Sequence, residues 1–311
     1  MINIGDWRKP VTLKRKNIIG IKYFLIAIPF MIFTFMFAYV PLFGWAYSLF
    51  DFKPGIPLSN TAFVGFDNFV KIIQQNKDVI RVLRNSLAMS GLGLLVSPLP
   101  IIFAIMMNEV TFKPFRKIVQ TMTTLPNYIS WIVIFGLAFS LFSNNGLVNT
   151  FLRNFGFESS PTGIMGSVRH VWYFQTALAV WKSLGWGTII YLASIMGIDT
   201  EQYEAAKIDG ASRWKCILYI TIPGVLPTYF VLLLLAISNI LNNGFDQFFV
   251  FSNPLVAERI EVLDFYVYKL AFVIKDFPYS IAIGIIKSLI GIILLFSANL
   301  FSRRIRGHSI F

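Results

Sequence analysis

The chain has 311 residues, 56% hydrophobic and only 14% charged, with 32 phenylalanines and a mean hydropathy of +0.67. That balance excludes a soluble globular domain, and a net charge of +12 without a basic, aromatic module apart from the apolar runs gives no footprint for nucleic acid. One cysteine, Cys216, leaves no intramolecular disulfide, and two distant histidines, His170 and His308, make no metal-ligand cluster.

Windows of about 20 apolar residues, the length that crosses a hydrocarbon layer of about 30 Å as helix, recur along the chain. We place six, at roughly 23–50, 86–107, 121–142, 174–196, 222–241 and 280–301. The first follows a basic arm, is too long for a secretory signal and lacks a small-residue cleavage site, so it is expected to be an uncleaved span. Pro29 and Pro41 interrupt it, Pro98 and Pro100 interrupt the second, Pro126 opens the third and Pro227 lies in the fifth; proline frees a carbonyl and bends a helix. Between the first two windows, "FVGFDNF" (Phe63 to Phe69) sets aromatic residues around a Gly turn, a composition suited to a headgroup interface. Between the last two, Val262, Phe265, Tyr266, Leu270 and Val273 recur at helical spacing. The expectation there is an amphipathic helix on the outer surface, with a re-entrant pore helix as the alternative.

All fifteen Asp and Glu residues fall outside the windows, as expected where a carboxylate at mid-bilayer costs about 3 kcal/mol. Only helices and closed barrels satisfy their backbone in lipid. The fold class is therefore all-α: a polytopic membrane protein with six transmembrane helices. An even number of crossings puts both termini on one side. Fifteen of the 27 Lys and Arg residues lie in the N-terminal arm (from Arg8 to Lys22), the 108–120 and 197–221 loops and the tail (Arg303, Arg304, Arg306). By the positive-inside rule that side is the cytoplasm. The organisation is a basic arm at 1–22, one membrane domain at 23–301 with a cytoplasmic loop at 197–221, and a tail at 302–311.

That loop carries "EQYEAAKIDGASRWKCILYITIP", Glu201 to Pro223. Asp199 or Thr200 caps a helix with Gln202 in the capping-box position, Glu201 and Glu204 favour its first turn, and Asp209-Gly210 ends it. From the residues alone, a docking element and an ordinary interfacial helical loop serve equally well. The spacing of Glu204-Ala205-Ala206, Gly210, Ile220 and Ile222-Pro223 resembles the EAA signature of binding-protein-dependent ABC import permeases, the maltose-permease superfamily. Ile222 stands where the pattern usually has Leu. The resemblance runs over essentially the whole chain, and "NNGFDQFFVFSNPL" followed by "VLDFYVYKLAF" is similar to the LplB-type permeases for complex oligosaccharides.

The resemblance implies the transmembrane domain of a type I ABC importer in a bacterial cytoplasmic membrane. Its coupling helix would seat in an ATPase with Glu204, Ala205, Ala206, Asp209, Gly210 and Ala211 at the contact. It implies two ATP-binding subunits that hold ATP and Mg2+, no cofactor in this chain, a second homologous permease and an extracellular solute-binding lipoprotein. The substrate would be an oligosaccharide. Ser238, Asn239, Asn242 and Asn243 at the end of the fifth window supply amides and a hydroxyl suited to sugars; the adjacent asparagines, with Ser183 and Trp186, align with sugar-contacting positions of the maltose permease. Lys182 and Lys287 are the only cations inside the windows, each roughly 10 to 12 Å from the outer end. Snorkelling explains each alone, and the two at similar depth suit an acidic oligosaccharide. The competing functions are an ABC permease for a peptide, polyamine or phosphate, and an ATP-independent carrier or channel. An embedded enzyme would need paired carboxylates, a nucleophile with its base, or metal ligands near a span, and the sequence offers none.

Overall fold

The computed structural model describes residues 13–74, 76–156 and 164–306; Arg8, Lys9 and His308 lie outside them. Among the described residues the only extended pairing is an isolated antiparallel bridge between Phe50 and Phe63. Six helices among the described residues are long and apolar enough to cross a membrane: Gly20–Leu49, Lys77–Glu109, Trp131–Asn154, Val171–Met196, Arg213–Ser238 and Phe277–Leu300. The last helix runs on to Arg306 and so takes in the basic residues assigned to the tail.

The third span departs from its window, starting at Trp131 rather than at residue 121. Pro126 has no N–H to continue the helix Lys113–Thr124. The chain instead makes a tight turn at Leu125–Tyr128 and restarts behind Ser130, whose hydroxyl accepts from the Val133 N–H at 3.5 Å. Two other prolines follow widened, π-type turns, Phe35–Tyr39 before Pro41 and Ile217–Thr221 before Pro223. A widened turn relieves the clash between a proline ring and the carbonyl four residues earlier. Pro29 and Pro227, by contrast, lie within continuous helices.

Packing is uneven. Met107, Tyr191, Leu192, Ile195 and Val225 join the second, fourth and fifth spans in one buried cluster. The most apolar window of the first span has no buried residue; this span meets the bundle through Val40–Leu49, which packs on the last span. The helix Lys113–Thr124 and the fourth span cross closely, because a Cβ on Gly185 would lie 2.3 Å from the Thr123 carbonyl. Only glycine fits there.

The segment 242–279 corrects the expected surface helix. It folds as Asp246–Phe251, Ala257–Ile260 and Leu263–Tyr268, the last continuing through widened turns to Ile274. Helical form is present, but Val262, Tyr266 and Leu270 are buried against the spans while Val273 is 64% exposed. Polar anchors explain the inward packing. Asn85 Nδ2 donates to the carbonyls of Glu258 and Glu261, both at 2.9 Å, Leu263 N donates to Ser86 Oγ at 2.8 Å, and Trp172 Nε1 donates to the Arg259 carbonyl at 2.7 Å. Glu261 is 3% exposed, held between Arg81 at 2.7 Å and Lys269 at 2.9 Å; a carboxylate this deep requires such pairing. Burial, and secondarily the neighbouring Tyr279, raises the Tyr266 phenol above its ordinary pKa and keeps it neutral.

Candidate functional site

The loop between the fourth and fifth spans contains the short helix Thr200–Ile208, of which no residue is buried. Asp199 caps it, its carboxylate accepting from Glu201 N at 3.0 Å. Gly210 ends it at φ +74°, a conformation that lets Ala211 N reach the Ala206 carbonyl at 2.8 Å and Gly210 N the Lys207 carbonyl at 3.1 Å. Glu204, Ala205, Asp209 and Gly210 are exposed, Ala206 and Ala211 half-buried, and Ile208 stands 87% exposed. The chain re-enters helix behind Ser212. Tyr203, which the sequence reading did not single out, turns inward, its hydroxyl 3.0 Å from Thr221 Oγ1. The signal available was one aromatic ring in a helix of small and charged residues. Small side chains on a pinned, exposed helix let another protein approach closely.

At the other end of the fifth span lies an open cavity of about 780 Å³ between the first, fifth and last spans. Trp45 and Tyr47, Ser238, Asn239 and Asn242, Asp264, Lys287 and Ser288 line it. Asn242 Nδ2 donates to Asn239 Oδ1 at 2.9 Å, and Asn239 Nδ2 to the Leu235 carbonyl at 2.9 Å. The Lys287 ammonium pairs with Asp264, whose other oxygen accepts from Gly244 N at 3.0 Å. A smaller cavity of about 230 Å³ is lined by Ser97, Thr176, Ser183, Asn243 and Gln247. Asn243 Nδ2 donates to Ser90 Oγ at 2.8 Å, and its Oδ1 is buried without a partner.

The residues singled out in the sequence are thus divided. Ser238, Asn239, Asn242 and Lys287 line the large cavity, Ser183 and Asn243 the small one, and Lys182 and Trp186 neither. Trp186 packs edge-on against Tyr128 at 6.1 Å. Lys182 Nζ donates to the carbonyls of Pro126 at 3.2 Å, Asn127 at 2.9 Å and Ile129 at 2.5 Å, and lies 5.5 Å from the Trp131 ring centre. The break at Pro126 leaves carbonyls without helical donors, and the ammonium takes them. This replaces the expectation of a cation snorkelling outward or paired with Lys287 toward one ligand. Asp264, absent from the sequence reading because charge is ordinary in a loop, is the residue that meets Lys287.

Six membrane-crossing helices, a polar cavity and a capped, exposed loop helix are the features of a multi-pass membrane transport subunit. The chain belongs to the binding-protein-dependent transport system inner membrane components, whose family model matches residues 96–307. It is 34% identical to Protein LplB of Bacillus subtilis (strain 168), over 93% of this chain and 90% of that one. It is 32% identical to the polygalacturonan/rhamnogalacturonan transport system permease protein YteP of the same organism, over 93% and 89%. It also superposes with a TM-score of 0.83 at 32% identity, over 96% of this chain and 99% of the other, on a chain from the crystal structure of a bacterial alginate ABC transporter in complex with alginate pentasaccharide-bound periplasmic protein. The EAA resemblance is therefore a family membership, and the fold is that of a type I ABC importer permease.

Proposed function

We propose that this chain is one of two permease subunits of an ATP-driven importer that moves an acidic oligosaccharide by alternating access. The observation that carries the substrate class is the set of amides and hydroxyls around the two cavities, Ser238, Asn239, Asn242 and Ser288 in the larger and Ser97, Thr176, Ser183, Asn243 and Gln247 in the smaller. Such groups hydrogen-bond sugar hydroxyls in a concave site. Lys287, inside the larger cavity, gives a carboxylate-bearing sugar a cation whose present partner is Asp264. The names of the relatives agree: one is described as a polygalacturonan/rhamnogalacturonan permease and another as part of an importer of the acidic polysaccharide alginate.

The helix Thr200–Ile208 then acts as the coupling helix, with Glu204, Ala205, Ala206, Asp209, Gly210 and Ala211 against one of two ATP-binding subunits. Those subunits hold ATP and Mg2+, and an external binding lipoprotein delivers the sugar. Residues 1–22 and 302–311, the arm and tail, lie on the same cytoplasmic side. The permease breaks no covalent bond: closing ATPase subunits draw the coupling helices together and tilt the spans as rigid bodies, to the extent that ATP prefers one state. The test is a complex copurified through a tag on this chain, reconstituted with its binding protein and assayed for ATPase stimulation. Oligogalacturonides are expected to stimulate more strongly than neutral oligosaccharides. Stimulation by peptides, polyamines or phosphate but by no sugar would overturn the assignment.

A further inference from the structure

An open cleft of about 550 Å³ adjoins the large cavity and shares Asn242, Asp264 and Ser280 with it. The side chains of Phe245, Tyr268 and Phe272 also line it. The ring centroids lie 4.4 Å apart for Phe245 and Tyr268 and 5.1 Å apart for Tyr268 and Phe272, so the three rings pack as one contiguous aromatic patch. Phe272 is 63% exposed, yet it is not loose, because Phe277 backs it at 5.8 Å. The lining therefore combines aromatic rings with an amide, a carboxylate and a hydroxyl.

We propose that this cleft is a further carbohydrate subsite, holding the units that trail the part of the oligosaccharide seated in the large cavity. A pyranose has apolar C–H faces and a rim of hydroxyls, and a lining that mixes aromatic rings with polar groups suits both. A lipid chain in the same place would set the ionised Asp264–Lys287 pair against hydrocarbon, at a desolvation cost a sugar does not impose. Lys287 pairs with Asp264, which lessens the repulsion an acidic unit meets in the outer cleft. The consequence is selection by chain length: a disaccharide fills the large cavity alone, while a longer chain also gains the aromatic patch.

This inference rests on the carbohydrate reading above. The test measures ATPase stimulation in the copurified complex by digalacturonate and by hexagalacturonate, for wild type and for Phe272→Ala, Tyr268→Ala and Phe272→Trp. Loss of one ring contact is expected to raise the apparent KM for the hexasaccharide roughly five-fold. The disaccharide KM and both kcat values should stay as in wild type, and Phe272→Trp should behave as wild type. Equal shifts for both lengths, no shift, or loss of the second permease from the complex would overturn the subsite, the last outcome marking the cleft as a subunit interface. A wild-type complex that no oligosaccharide stimulates would remove the carbohydrate reading and the subsite together, whereas normal wild-type stimulation with length-blind variants removes the subsite alone.

Discussion

The hydroxyl of Tyr203 lies 3.0 Å from Oγ1 of Thr221, tying the exposed helix of the loop between the fourth and fifth spans to the widened turn that opens the fifth span. Thr221 is buried and leans on the Cys216 carbonyl at 3.5 Å. A helix this short does not hold its own orientation in water, so a push on its outer face reaches the span through its cap, its ends and this bond. Tyr203→Phe keeps the ring and removes a bond worth about 1 kcal/mol. Insertion and complex assembly should be unchanged, while transport per ATP hydrolysed in proteoliposomes falls several-fold. Unaltered coupling would show that the hydroxyl only anchors the loop.

Gly210 at φ +74° is incompatible with proline, whose ring fixes φ near −65°. Gly210→Pro, and separately Glu204→Lys on the exposed face, should leave membrane insertion intact and abolish substrate-stimulated ATPase activity. Normal transport by both variants would dismiss the coupling role of Thr200–Ile208.

Lys182 and Gly185 hold one crossing together. Gly185→Val places a Cβ 2.3 Å from the Thr123 carbonyl and should give little folded protein. Lys182→Met strands the carbonyls of Asn127 and Ile129 and leaves that of Pro126 with only the Ile129 N–H at 3.2 Å, and should cost about 2 to 4 kcal/mol, read as a lower melting temperature in detergent. Its preference between acidic and neutral oligosaccharides should not change. A variant as stable as wild type that loses that preference would return Lys182 to the substrate.

Lys287 and Asp264 are 16% and 19% exposed, so neither charge is left alone cheaply. Lys287→Met should destabilise the protein by about 3 kcal/mol, and Asp264→Asn added to it should recover most of the loss. Transport competition then separates stability from recognition: the double variant, stable again, should have lost its preference for acidic over neutral chains. Retention of the preference would remove the cation from the substrate site.

Much of this molecule was legible along the chain. Apolar length placed six spans, because a segment's transfer into lipid depends on its own side chains. Asp199 and Gly210 marked the ends of the loop helix because capping and left-handed backbone are local properties. The restart at Trp131 was within reach too, since Pro126 stood in plain view; hydropathy summed over a window hides a backbone break inside it.

What the chain alone decided, then, is where it crosses, where it turns and which loop carries a small-residue helix, all set by interactions within a few residues. The fold decided which charges meet. Lys182 and Lys287 have the same hydropathy and similar depth, yet one is closed on backbone carbonyls at a helix break and the other faces a cavity beside Asp264. It also turned the apolar face of Leu263–Tyr268 toward the bundle, where Asn85, Ser86 and Arg81 on the second span supply its partners. A charge or an apolar stripe fixes how strongly a residue needs a partner, and only packing of distant segments fixes who that partner is.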